Sequence, residues 1–162
     1  MAAAIELITE VGPLGFTLRE VARRAGVSHN APYRHFPSKE HLLAAVANQG
    51  FIELNEAMLK RAEEGTTPAE RLKLSGLAYV DFALRRPAHF TVMFDVHLPE
   101  ASEAGQRAFN TLLDFVAACN QPPERALQAW SLVHGIAKLA IARQFPFHTP
   151  KEILQFADSA LN

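Results

Sequence analysis

The stretch Thr17–Phe36, TLREVARRAGVSHNAPYRHF, opens on a helix start, breaks at a glycine and restarts at once. The Thr17 hydroxyl can accept from a free first-turn N–H while Glu20 reaches back to the cap, the reciprocal arrangement of a capping box. Leu18, Val21, Ala22 and Ala25 then share a stripe, which leaves Arg19, Arg23 and Arg24 largely outward. Gly26 ends this helix after two turns, turning the chain where a side chain is expected to clash. A second short helix is expected from Ser28 to His35, with Val27 plugging the corner, Ser28 capping and Pro37 closing it. Pro32 is the awkward residue. Counted from a cap at Ser28 it is the fourth helical position, where its missing N–H costs a hydrogen bond and its ring crowds the Ser28 carbonyl. A cap at His29 or Asn30 would bring it inside the first turn, so the spacing predicts a helix with an irregular or late start.

Helix, tight turn, helix is the arrangement in which the second helix enters the DNA major groove and the first crosses the backbone. It would expose His29, Asn30 and Ala31. Asn30 can bond an adenine edge in two places, Ala31 can touch a thymine methyl, and His29 can donate or accept. Tyr33, His35 and Lys39 are of types that bind phosphate oxygens, and the free N–H groups of the helix starts at Thr17 and Ser38 would add to this. Charge agrees with this placement. The net charge is −1, yet the cations of the first 48 residues all lie between Arg19 and Lys39. From the pattern alone, a surface helical hairpin is the alternative.

Along the rest of the chain helix signals dominate and strand alternation is nearly absent, so the chain reads as all-α. The first helix, Ala2–Val11, places Ala4, Ile5, Ile8 and Val11 on one stripe. A long helix starts at Ser38 and carries Leu42, Leu43, Val46, Phe51, Leu54 and Met58 inward. Residues 63–66, Glu-Glu-Gly-Thr, mark a boundary between a domain at 1–48, whose last helix continues to about 63, and a domain at 64–162. Thr67–Glu70 and Thr149–Glu152 repeat one start signal: a capping threonine, proline first, glutamate third. The helix after Pro68 is apolar nearly all round from Leu74 to Leu84 and should be the buried centre of the second domain. Asp81 and Arg85 are spaced to pair, and Pro87 ends that helix. A short segment at Ala88–Phe94 leads into an exposed loop with Pro99. Helices follow at Ser102–Cys119, Pro123–Phe145 and Pro150–Leu161.

The residues from Thr17 to Val46 resemble the DNA-binding domain of the TetR/AcrR family of transcriptional regulators. The Ala-Gly-Val-Ser corner at 25–28, the Tyr-x-His-Phe element at 33–36 and the Ser-Lys-Glu-x-Leu-Leu start at 38–43 all fall at that family's spacing. The resemblance implies an all-α homodimer with a three-helix reading head and a larger C-terminal domain that binds a small molecule and dimerises. Trp130 to Gly135 is similar to a Trp…His-Gly element in one subgroup. Two departures stand out: Pro32 replaces a larger aliphatic residue, and Met1 lies only a turn before Ile5, where many members have a basic arm and a longer first helix. Either the native start lies upstream or operator binding is weaker.

Since this family hollows out its second domain for ligands, Phe82, Met93, Phe94 and Trp130 are pocket candidates, with His134 as a polar anchor. The simpler reading of His134 is a hydrogen-bonded core histidine. His89, Asp95 and His97 can bind metal, but no spacing fixes a geometry, and no metal or cofactor is expected. No histidine, carboxylate and nucleophile form a recognisable set, so an enzyme is not expected. The single cysteine, Cys119, and the absence of a signal-peptide pattern or membrane-length apolar run fit a cytoplasmic protein. Dimerisation is expected through the last two helices, with Leu127, Trp130, Val133 and Ala137 on one and Ile153, Phe156 and Ala160 on the other. The expected function is a ligand-responsive repressor that binds a palindromic operator and is released by a small apolar effector. The alternative is a small-molecule binding protein of the same fold with weakened or lost DNA binding.

Overall fold

Three helices start with the same device. In the computed structural model, which describes residues 1–98 and 102–162, Thr17, Thr67 and Thr149 each accept from the N–H three residues on, and Glu20, Glu70 and Glu152 each accept from the threonine N–H. The hydroxyls of Thr17, Thr66 and Thr149 donate to Glu20, Glu70 and Glu152 and, with the backbone N–H bonds, hold all three carboxylates below the usual range. The described residues form α1 (Ala2–Val11), α2 (Leu18–Arg24), a single 3₁₀ turn (Pro32–Arg34), α3 (Lys39–Ala62), α4 (Pro68–Arg85), α5 (Pro87–Asp95), α6 (Glu103–Ala118), α7 (Glu124–Ile141) and α8 (Pro150–Ala160). The protein is all-α. The loop expected around Pro99 lies outside the described residues.

The first core joins α1, α2 and the start of α3 through Ala4, Leu7, Ile8, Phe16, Leu18, Val21, Leu42, Leu43 and Val46. Leu7 takes the place expected for Val11, which is exposed because it sits at the last residue of α1, beyond the stripe that faces α2. Arg24 is not fully outward: its guanidinium grips Glu10 of α1 at 2.5 and 2.7 Å.

Helix α3 runs unbroken from this head into the second core. There α4 is the central helix, in contact with α3, α5, α6, α7 and α8. Asp81 and Arg85 on α4 pair. Where α3 crosses α5, a Cβ on Gly50 would lie 2.5 Å from the Met93 sulfur, so any larger residue there would have to push the Met93 side chain aside. Helix α5 also touches α1, giving the head a second contact with the larger body.

Helix α7 is shorter than its pattern suggests. It stops at Ile141 because the backbone turns left-handed at Arg143 (φ 54°), with the Gln144 N–H bonded to the Leu139 carbonyl. Phe145 and Phe147 thereby stack on each other, 5.0 Å apart, and close on Phe156 of α8. The stripes expected to pair protomers are partly used up inside one chain. Val133, Ala137 and Ile153 are buried against the core, whereas Leu132, Leu139 and Phe156 are 41 to 46% exposed.

Candidate functional site

The turn after α2 rests on Gly26, whose φ of 67° is the reason for glycine there; a Cβ would meet nothing within 4 Å. The Val27 N–H bonds back to the Ala22 carbonyl and closes α2. The Val27 side chain does not plug the corner. It is 49% exposed, and Ala25 is exposed as well, since the left-handed step at Gly26 swings the chain away from the core before the next element begins.

The expected α-helix at Ser28–His35 is instead a turn followed by one 3₁₀ turn. The Ala31 N–H bonds the Ser28 carbonyl at 2.9 Å, and the 3₁₀ turn begins at Pro32 with Ala31 as its cap, so the capping position moves from Ser28 to Ala31. Pro32 is therefore the first helical residue, where no N–H is needed and a fixed φ helps. Its ring is buried, while Tyr33, Arg34 and His35 around it are exposed. Pro32 anchors the loop from behind and turns its neighbours outward.

Thr17, Ser28, His29, Asn30, Tyr33 and His35 are exposed, and Ala31 and Lys39 are partly so. Two of these are already engaged. The Thr17 hydroxyl is tied to Glu20. The Lys39 ammonium donates to the carbonyls of Leu14 (2.9 Å) and Phe16 (3.1 Å) and lies over the Phe16 ring, so it clips the α1–α2 loop to α3 instead of standing free for phosphate. Arg19, Arg23 and Arg34 are exposed cations that the motif reading left out. The adjacency of Arg34 to Tyr33 was the available signal.

The second domain holds a cleft of about 950 Å³ between α3, α4, α6, α7 and the end of α8. Phe94 and Trp130 line it; Phe82 and Met93 do not, because both are buried where α4 and α5 face the core. His134 sits behind the wall. Its Nδ1 is 2.8 Å from the Tyr79 hydroxyl, which also accepts from the Trp130 Nε1–H at 3.1 Å. Phe90 and Phe94 pack on the imidazole ring. Burial pushes the Tyr79 phenol up and His134 down, the latter aided by nearby Lys138, so both stay neutral at pH 7. Tyr79 was missed as a lining residue, since an apolar stripe does not reveal which of its members faces a void. Among the described residues no group of three metal-binding side chains comes together, and no helix is long and apolar enough to cross a membrane.

Residues 1–46 match the family model "Bacterial regulatory proteins, tetR family", and residues 72–162 match "Tetracyclin repressor-like, C-terminal domain". The chain belongs to the TetR family. This is a family of transcriptional regulators, not of enzymes. The transcriptional regulator BetI of Rhizobium meliloti is 36% identical over 90 residues, 56% of this chain and 43% of its own. The class A tetracycline repressor of transposon 1721 from Escherichia coli is 40% identical over 62 residues, 38% of this chain and 29% of its own. The matches thus span less than half the length of these relatives. A protein of unknown function from Rhodococcus sp. RHA1 superposes with a TM-score of 0.83 at 30% identity, covering 99% of this chain and 90% of the other. A variant of TetR from Acinetobacter baumannii AYE, solved in complex with minocycline, gives 0.70 at 26% identity, with 99% and 90% covered.

Proposed function

We propose that this TetR-family chain is a cytoplasmic, ligand-responsive repressor that binds a palindromic operator as a homodimer and is released by a small, mainly apolar effector. The carrying observation is the exposed edge after Gly26: His29, Asn30 and Tyr33 project from a loop whose Pro32 is buried behind them. In this reading the head at 1–48 presents His29, Asn30 and Ala31 to base edges. Ser28, Tyr33, His35 and Arg34 meet phosphates, and Thr17 and Lys39 hold the scaffold. The part at 64–162 binds effector in the cleft and dimerises. The exposed Leu139 and Phe156, not the buried Val133 and Ala137, supply the face for the second copy.

The test is fluorescence anisotropy with DNA from the promoter of the protein's own operon, at low salt. Saturable, sequence-dependent binding supports the reading, and its absence overturns it. The brevity of the reading turn favours one second reading, a binding protein of this fold that has lost its operator. Effector binding without DNA binding would select it.

A further inference from the structure

The lining of the cleft is uneven in charge. Among the described residues it contains two cations, Lys73 and Arg125, and no aspartate, glutamate or histidine. Lys73 is already neutralised, 2.9 Å from the Asp158 carboxylate and donating to the Asn162 side-chain oxygen at 2.8 Å. Arg125 forms no ion pair with any described acid. One of its terminal nitrogens donates to Gln128 Oε1 at 2.5 Å, which orients the guanidinium and leaves its other N–H groups available. Glu124, its neighbour in sequence, faces a different side of the helix.

Position sharpens this. Arg125, Gln128, Ala129, Leu132 and Val133 fall at i, i+3, i+4, i+7 and i+8, one face of α7, and all line the cleft. The cation is thus at the exposed end of a strip whose other end is apolar. Deeper in, the Tyr79 hydroxyl accepts from the Trp130 N–H and bonds His134, and the Ser75 hydroxyl donates to the Leu72 carbonyl. The interior offers a ligand apolar contact, and the mouth offers an unpaired fork that fits two anionic oxygens.

We infer that the effector is an amphipathic anion: an apolar body in the cleft with a single carboxylate or phosphate head held by Arg125. This rests on reading the cleft as the effector site. Trp130 is the only tryptophan and lines the cleft, so its fluorescence reports occupancy directly.

The experiment titrates the full chain with decanoate, decyl phosphate, decanol, decyltrimethylammonium and inorganic phosphate. Decanoate or decyl phosphate should bind about tenfold or more tighter than decanol. The cationic chain and bare phosphate should bind more weakly still. Arg125→Gln should bring the anions to the level of decanol without changing decanol itself, and Arg125→Lys should keep part of the preference. Decanol binding as tightly as the anions, or a preference that survives Arg125→Gln, overturns the inference while leaving the cleft as an effector site. Bare phosphate equalling decyl phosphate overturns the apolar body. Silence from all five ligands removes the cleft reading together with the inference.

Discussion

The Lys39 ammonium sits 4.9 Å from the centre of the Phe16 ring and donates to the Phe16 carbonyl, so the first residue of α3 holds the loop that precedes α2. Lys39→Met should lower unfolding stability by about 1 kcal/mol, measured by urea titration. The salt slope of operator binding should stay unchanged, because no phosphate contact is removed. A slope that flattens would return Lys39 to the DNA interface.

Arg34 gives the opposite signature. Exposed beside Tyr33 on the 3₁₀ turn, it should contribute one phosphate contact, so Arg34→Ala should weaken all sequences together and reduce the log–log salt slope by about 1. Tyr33→Phe should weaken binding with no change in slope, since no charge is lost.

Asn30→Ala should relax base preference at a single position of each half-site, at a cost of about 1–3 kcal/mol against the preferred base. Competition with a set of operators substituted one position at a time measures this. Uniform weakening across the set would remove Asn30 from base reading.

The Tyr79 hydroxyl joins Trp130 to His134, and its removal leaves two partly buried polar groups without their partner. Tyr79→Phe should cost about 1–3 kcal/mol and shift the emission of Trp130. An unchanged spectrum would show that the indole N–H finds water instead.

His89 and His134 are both held below the usual imidazole value, mainly by burial. Between the folded and unfolded values the unfolded chain binds more protons, so stability rises with pH across that window. Their contribution is complete above about pH 6.5, the unperturbed imidazole value, and falls away as the solution is acidified. Urea midpoints from pH 7.5 to 5.5 should therefore decline, and His134→Gln should shallow the decline. The three capping glutamates titrate below the usual carboxylate range, so they do not contribute in this interval.

Helix starts were legible because they are local: a threonine, a glutamate three residues on and a proline between them determine a cap whatever surrounds it. The glycine turn was legible for the same reason, and the late start at Pro32 followed from the chemistry of the missing N–H. The fate of Val27 and Val11 was not, since burial depends on which way neighbouring helices lean. Nor could the stripe on α7 be divided from sequence into residues facing the core, the cleft and the surface.

An all-α chain, its family and a short outward-facing segment after Gly26 were all readable from local residue patterns. Each rests on interactions within a few residues. Long-range packing ties Lys39 and Arg24 to neighbouring elements, places Tyr79 but not Phe82 or Met93 on the cleft wall, and leaves Arg125 at its mouth without an acidic partner among the described residues. Those depend on distances between residues far apart in the chain, such as the 55 positions separating Tyr79 from His134, and packing alone sets such distances.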